Sequence, residues 1–444
     1  RVVKIMRRTC FLTSDFIKAL FCCLLLLAFV GQQPVSAEVK VINDLSGRDA
    51  NPWERIELLE DDDPHFVSEN FHLKSRQNHS ITQKAFNTNK PHSRNFLLHY
   101  APNWNRSRNK TPVLLVHGAG DNACRGFCHP WTFDLPENGH IEKPGMMQFL
   151  VKKGFSVFAI TYSHPHGCNF LQAQQLANAI DRIKSVTGAS KIDVVCHSKG
   201  AMSVRIYASD LGANTHEFKW LTPFRHDIRN IVFVASPLKG IDTAFRYYAY
   251  NFTVKQQNLA APLGPESMLW QGMFVDNYHH NKLFPGQFQM LHNWVKDGIG
   301  FNNQSGTPDA NYTRSILYNG GVSTLLVSDG IDRAIQEGGD VIRLLNEKGV
   351  DPSITCHVLA GTKQTIDTVK FGWLELPVGE FAGDSDGVLF LKSATWTKGL
   401  RARGARLGSV KVLDTHHVGL TIIPAALNHI AEVLSERNTD KKVR

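Results

Sequence analysis

The feature that most constrains this chain is a rhythm that begins at Pro112. Short apolar runs, each closed by a turn, alternate with segments of helical spacing. "PVLLVHG" ends on glycine, as a strand buried on both faces would. "FSVFAITY" (Phe155 to Tyr162) is a second such run. "LQAQQLANAIDRIKSV" then sets Leu176, Ile180 and Ile183 on one helical face, and Gly188 closes that helix. "KIDVVCHS" reads as a strand, "GAMSVRIYASDL" as a helix, and "IRNIVFVASP" (Ile228 to Pro237) as the next strand. Runs that are apolar at every position belong in a parallel sheet. The expected fold class is therefore α/β: a mostly parallel sheet with helices on both faces.

Two stretches depart from the rhythm. Residues 38–110 are polar and irregular, with the acidic knot "EDDDPH" and the Asn-, Ser- and His-rich "RQNHSITQKAFNTNKPHSRN". They read as an N-terminal extension with little core of its own. Residues 240–350 interrupt the domain that runs from 111 to 436. Their first half is aromatic and loop-like and their second half carries amphipathic helical stretches; the alternation resumes at "SITCHVLAGT". An insertion of this size between two strands is expected to be a cap or lid. The competing expectation is extra core helices without a role in access.

Residues 1–37 have the form of a secretory signal peptide. Arg1, Lys4, Arg7, Arg8 and Lys18 give a basic start, "ALFCCLLLLAFV" an apolar run, and "PVSA" a small-residue end with cleavage expected after Ala37. The run is short against the roughly 20 residues that span a bilayer; an uncleaved anchor is the alternative. Cleavage removes five basic residues and one acidic one (Asp15), so the net charge of +9 falls to +5. That is mild for the roughly 400 residues that remain and does not point to nucleic acid. No obligate protein partner is evident either. Five cysteines remain after cleavage. In an oxidising compartment one bridge among Cys124, Cys128 and Cys168 is expected, with Cys196 and Cys356 as buried thiols. A zinc site of these cysteines with His129, His164 and His166 is the weaker alternative, because the spacing is poor. Sequons at Asn78, Asn105, Asn109, Asn251, Asn303 and Asn311 offer glycosylation sites.

Chemistry enters at "VVCHSKG". A serine hydroxyl is a weak nucleophile and needs a base, and the base needs an orienting acid. Ser198 follows a strand and precedes a helix, the context of a G-x-S-x-G turn in which Cys196 stands for the first glycine and Gly200 is the second. The α/β-hydrolase order places an acid and then a histidine further along the chain. "FAGDSDGVLFLKSA" supplies Asp384 and Asp386; "VKVLDTHHVGLTII" supplies His416 and His417. The residue after the nucleophile, Lys199, offers its backbone N–H to an oxyanion. Its side chain reads as a solvated lysine at a helix start, with shielding of the site, an acidic partner or a charged substrate as alternatives. His197 reads as a packing residue beside the turn.

"TPVLLVHGAGDNA", "VTGASKIDVVCHSKGAMS", "GDSDGVLFLKSA" and "HHVGL" resemble the secreted class 2 triacylglycerol lipases and their bacterial relatives. They are also similar to an extracellular polyhydroxybutyrate depolymerase of the same fold. The resemblance covers roughly residues 111–240 and 353–436. It implies the α/β-hydrolase fold, Ser198 as nucleophile, Asp386 rather than Asp384 as acid, and His417 rather than His416 as base. It also implies Ala119, in "HGAG", as the second oxyanion donor beside Lys199. Cys196 and Lys199 depart from the family pattern. No metal or organic cofactor is expected, and no calcium-ligand pattern is present.

The resemblance implies a secreted esterase or lipase acting on acylglycerols, with a polyester depolymerase as the alternative and a non-catalytic binding protein as the least favoured. Phe245, Tyr247, Tyr248, Tyr250, Phe252, Leu269, Trp270 and Phe274 make the insertion aromatic. Such a surface either grips acyl chains or a lipid–water interface, or forms the core of the cap.

Overall fold

The computed structural model describes residues 39–71, 75–106, 111–132, 134–135, 139–212, 223–246, 274–275, 282–300, 315–316, 318–322, 327–364, 368–371, 374–377 and 382–436. The signal segment, the sequons at Asn109, Asn251, Asn303 and Asn311, and the aromatic residues from Tyr247 to Trp270 lie outside these; so does the Phe274 side chain.

Nine strands make one sheet. They are β1 (Lys40–Ser46), β2 (Arg55–Glu60), β3 (Asn95–Tyr100), β4 (Val113–Val116), β5 (Val157–Tyr162), β6 (Ile192–His197), β7 (Ile228–Val234), β8 (Thr355–Gly361) and β9 (Arg406–Leu413), in the order β1-β2-β3-β5-β4-β6-β7-β8-β9. Pairing is antiparallel from β1 to β5 and parallel from there to β9. This is the α/β-hydrolase fold. Every residue of β4 is fully buried, and the pleat sends Leu114 and Val116 into one core and Val113 and Leu115 into the other. Each such side chain contributes about 1.5–3 kcal/mol by leaving water. Helices α1 (Ala123–Phe127), α2 (Met146–Lys152), α3 (Asn169–Thr187), α4 (Gly200–Ala208), α5 (Gly330–Glu337), α6 (Val341–Lys348) and α7 (Pro424–Ser435) complete the frame. Residues of α3, α4 and α6 line the first core and those of α1, α2 and α7 the second. Gly188 ends α3 in the left-handed region (φ 71°), as its position predicts.

The extension is not the coreless segment its composition suggests. It supplies β1, β2 and β3, and Ile56, Leu58, Leu59, Phe96, Leu97 and Leu98 are all buried. What hides β2 in the sequence is Glu57 in the middle of "RIELLE". Its carboxylate is fully buried and accepts from Arg182 Nε (3.0 Å), Arg182 Nη2 (2.7 Å) and the Tyr100 hydroxyl (2.5 Å), with Arg55 Nη2 at 2.8 Å. Burial alone would raise this carboxyl; the bonds from Arg182 and Tyr100 overcome that and hold it below its ordinary value.

No disulfide forms among the described cysteines, against the expected bridge; Cys124, Cys128, Cys168, Cys196 and Cys356 are all buried thiols. Cys124 and Cys128 belong to the core on one face of the sheet, while Cys168 belongs to the core on the other. Burial pushes the Cys124 thiol up to about 12 and that of Cys168 to about 11. Among the described residues no group of three or more His, Cys, Asp or Glu is arranged to hold a metal ion.

The described part of the insertion packs two ways. Phe245, Phe288, Leu291, Tyr318, Ile331 and Ala334 form a small core of their own. Val341, Ile342 and Leu345 of α6 join the main core.

Candidate active site

β4 and β6 are neighbours at the centre of the sheet, and the chain reverses its direction of travel there: β5 lies on one side of β4 and β6 on the other. Such a switch point opens a crevice at the carboxyl ends of the strands. The loops that follow β4, β6, β8 and β9 all meet at that end.

Ser198 sits on the turn between β6 and α4 with φ 52°, a left-handed conformation that a residue with a Cβ enters at a cost of about 1–3 kcal/mol. The strained turn is pinned by the Ser198 N–H donating to Val234 O (2.9 Å) and the Ala201 N–H donating to Ser198 O (3.1 Å). Gly200 is required here, because a Cβ on it would lie 2.5 Å from His117 O and 2.8 Å from Val116 O. At the first glycine position Cys196 is tolerated: its side chain is fully buried in the core, with Sγ 3.6 Å from Val232 O.

The structure brings Ser198, His417 and Asp386 into one line. His417 Nε2 lies 2.9 Å from Ser198 Oγ, and His417 Nδ1 lies 2.8 Å from Asp386 Oδ2. A carboxylate only accepts, so Nδ1 carries the proton and Nε2 presents its lone pair to the hydroxyl. Asp386 is itself held. Its Oδ1 accepts from the Val388 and Leu389 N–H groups (both 3.0 Å), and its carbonyl accepts from the His417 N–H (3.0 Å). Asp384 is exposed and engages through its main-chain carbonyl, which accepts from Leu391 N–H. His416 is half-buried, and its Nδ1 accepts from Gly419 N–H (3.1 Å).

The "HGAG" loop packs directly against the turn. A Cβ on Gly118 would fall 3.0 Å from Ser198 Cβ and 3.2 Å from His197 Nδ1. Among the described residues, neither the Ala119 nor the Lys199 backbone N–H donates to a protein acceptor. His117 Nδ1 donates to Gly118 O (2.8 Å), its Nε2 accepts from Tyr162 N–H (3.2 Å), and Arg125 Nη2 donates to Gly120 O (2.8 Å). These braces are invisible to motif reading, although "DNACR" hints at one: Asn122 caps α1 while Asp121 pairs with Arg125 at i,i+4.

The model of the family described as lipase (class 2) matches residues 110–259. Over that stretch, about a third of its length, the chain is similar to class 2 lipases. The match takes in the HGAG loop and the Ser198 turn, and it makes the chain a carboxylic ester hydrolase. The chain is also similar to the mature lipase BlEst2 of Bacillus licheniformis (15% identity over 74% of this chain and 93% of that one, TM-score 0.35). Further similar structures are a thermostable carboxyl esterase of Bacillus coagulans (14%, 77% and 93%, TM-score 0.37) and EstA of Clostridium botulinum (12%, 74% and 88%, TM-score 0.40).

One expectation about this site fails. Lys199 is not a solvated lysine; it is 2% exposed, and its Nζ donates to Gln172 Oε1 at 2.5 Å. Burial draws its amine down to about 7 against the opposing pull of Glu69. His197 packs as expected, its ring 4.9 Å from that of His417 and its Nε2 3.3 Å from His417 O, to which it donates.

Buried histidines set how the protein responds to acid. Burial draws His117, His197 and His357 down to about 4 and His164 to about 3. Each stays neutral in the folded chain and takes a proton on unfolding below its ordinary value near 6.5. Their stabilisation is therefore complete above pH 6.5 and is lost as pH falls toward 4, at up to about 1.4 kcal/mol per pH unit for each group. Burial raises the carboxyls of Asp61, Asp193 and Asp242, and that of Glu69 to about 7; these act in the opposite sense. They do not cancel the four histidines: hydrogen bonds from Asn178, Arg229 and Arg246 restrain the aspartates, and Glu69 offsets about one histidine. Melting curves are expected to fall steadily from pH 6.5 to pH 4; a flat profile over that window contradicts the assignment.

Proposed function

We propose that this protein is a lipase that hydrolyses lipid esters, acylglycerols first among them, through an acyl-enzyme on Ser198. The observation that carries the reading is the continuous line from Asp386 through His417 to a serine held at positive φ. In this mechanism Ser198 Oγ attacks the ester carbonyl while His417 Nε2 takes its proton. The tetrahedral oxyanion lies between the Ala119 and Lys199 N–H groups, which have no protein acceptor among the described residues. Each such donor is worth about 3 kcal/mol of transition-state stabilisation. His417 then protonates the leaving alcohol. A water deprotonated by the same nitrogen attacks the acyl carbon, and the acid leaves as Ser198 regains its proton. Asp386 holds the tautomer throughout and stabilises the imidazolium.

Secretion belongs to the same proposal. The basic, apolar and small-residue order of residues 1–37 supports it, as does the exposed sequon at Asn105. The substrate is decided by assay of purified protein on p-nitrophenyl esters of short and long chain, an emulsified triglyceride and a polyhydroxybutyrate film. Hydrolysis of the triglyceride is expected. Activity on the film alone would replace the lipase reading with a polyester depolymerase, and no release from any ester would end the enzymatic one.

A further inference from the structure

Lys199 is the residue that the hydrolytic reading uses only for its backbone, and its side chain has a structured environment. Lys199 Nζ donates to Gln172 Oε1, so the Gln172 amide turns its oxygen toward the lysine. That orientation leaves Gln172 Nε2 to donate to His164 O at 2.8 Å. His164 O also accepts from Gly167 N–H (3.0 Å), which folds residues 164–167 into a tight turn. The carbonyl at the crest of this turn, Pro165 O, accepts from Gly120 N–H (3.3 Å). Gly120 follows Ala119. The far side of the turn is closed by residues that return from the insertion: Gly286 N–H donates to His166 O (3.1 Å), and Asn169 Nδ2 donates to Gly286 O (2.9 Å). Gly286 packs on the lysine itself, since a Cβ there would lie 2.3 Å from Lys199 Cε.

We propose that Lys199 is a positioning residue for the oxyanion hole: it supplies one donor from its backbone and, through Gln172 and the 164–167 turn, places the loop that carries the other. The inference rests on the Ser198 reading. It explains a buried lysine side chain beside the nucleophile as an orienting group, one that fixes a single orientation of the Gln172 amide.

Lys199→Met removes the ammonium and keeps the length of the side chain. It is expected to lower kcat by about 10–100-fold, less than the 10²–10³ that follows outright loss of an oxyanion donor. KM should stay within about twofold, because the donors act mainly on the developing charge. Affinity for an alkyl boronic acid, which forms a tetrahedral adduct on the serine, should fall by the same factor as kcat. Gln172→Leu breaks the same line, so the double variant should be no slower than the slower single one. A lysine that only supports the fold would lower the melting temperature and leave kcat per titrated site and boronic acid affinity unchanged; that result overturns the proposal, as would additive losses. Gln172→Glu keeps a partner for the ammonium but lacks the donor to His164 O. If the other variants do not fold, it decides the matter: reduced kcat supports the line, unchanged kcat overturns it. Failure of the underlying reading looks different: wild-type activity would survive Ser198→Ala, or the boronic acid would not inhibit the wild type.

Discussion

Ser198→Ala is expected to lower kcat by about 10⁶-fold with substrate affinity intact, and His417→Ala to do nearly the same. The two act as one unit, so the double variant should lose little beyond either single one. The geometry requires this: one proton passes along the 2.9 Å contact between Ser198 Oγ and His417 Nε2, and with either end missing there is nothing to transfer. Residual hydrolysis would come from the oxyanion donors and binding alone. A companion variant separates chemistry from stability. Ser198→Gly relieves a residue at φ 52° and should raise stability by about 1 kcal/mol while abolishing turnover. Kinetics on a p-nitrophenyl ester, with thermal melts of the same preparations, check both. Full activity in Ser198→Ala would remove the nucleophile from this account, and a Gly variant no more stable than wild type would remove the strain.

The parallel half of the sheet was legible because strands buried on both faces read as largely apolar runs, and β4 to β8 are apolar over most of their length. The site was legible at the ends of those strands, where a turn residue and a reactive side chain stand together. The antiparallel half was not, because Glu57 interrupts "RIELLE" and its partner Arg182 lies 125 residues away. Lys199 misled for the same reason. A lysine at a helix start is exposed by default, and only the fold brings Gln172 and the carboxylate of Glu69 to it. The absent bridge was equally non-local: Cys124 and Cys168 look adjacent as loop cysteines but lie on opposite faces of the sheet. In each case a polar or reactive group was buried by partners distant in sequence, which no local pattern encodes.

Asp386→Asn is expected to lower kcat by about 10⁴-fold, while Asp384→Asn should change it by less than about twofold. The two residues are two positions apart, with Ser385 between them, so the contrast is a test of geometry. Asp386 Oδ2 accepts the proton on His417 Nδ1, and Oδ1 is saturated by the Val388 and Leu389 N–H groups. An asparagine at 386 keeps its oxygen on those two N–H groups and turns its NH₂ toward the imidazole. His417 must then accept at Nδ1 and carry its proton on Nε2, where it can no longer take the proton of Ser198. The fold should survive, since the amide is the same size and the His417 N–H still reaches Asp386 O through the backbone. Asp384 is exposed and contributes a carbonyl that any residue would provide. His416→Ala belongs with it, because His416 touches neither Ser198 nor Asp386 through a hydrogen bond and accepts instead from Gly419. Steady-state kinetics of the three variants near pH 8 check the assignment. A large loss in Asp384→Asn with a mild one in Asp386→Asn would move the acid to the other carboxylate.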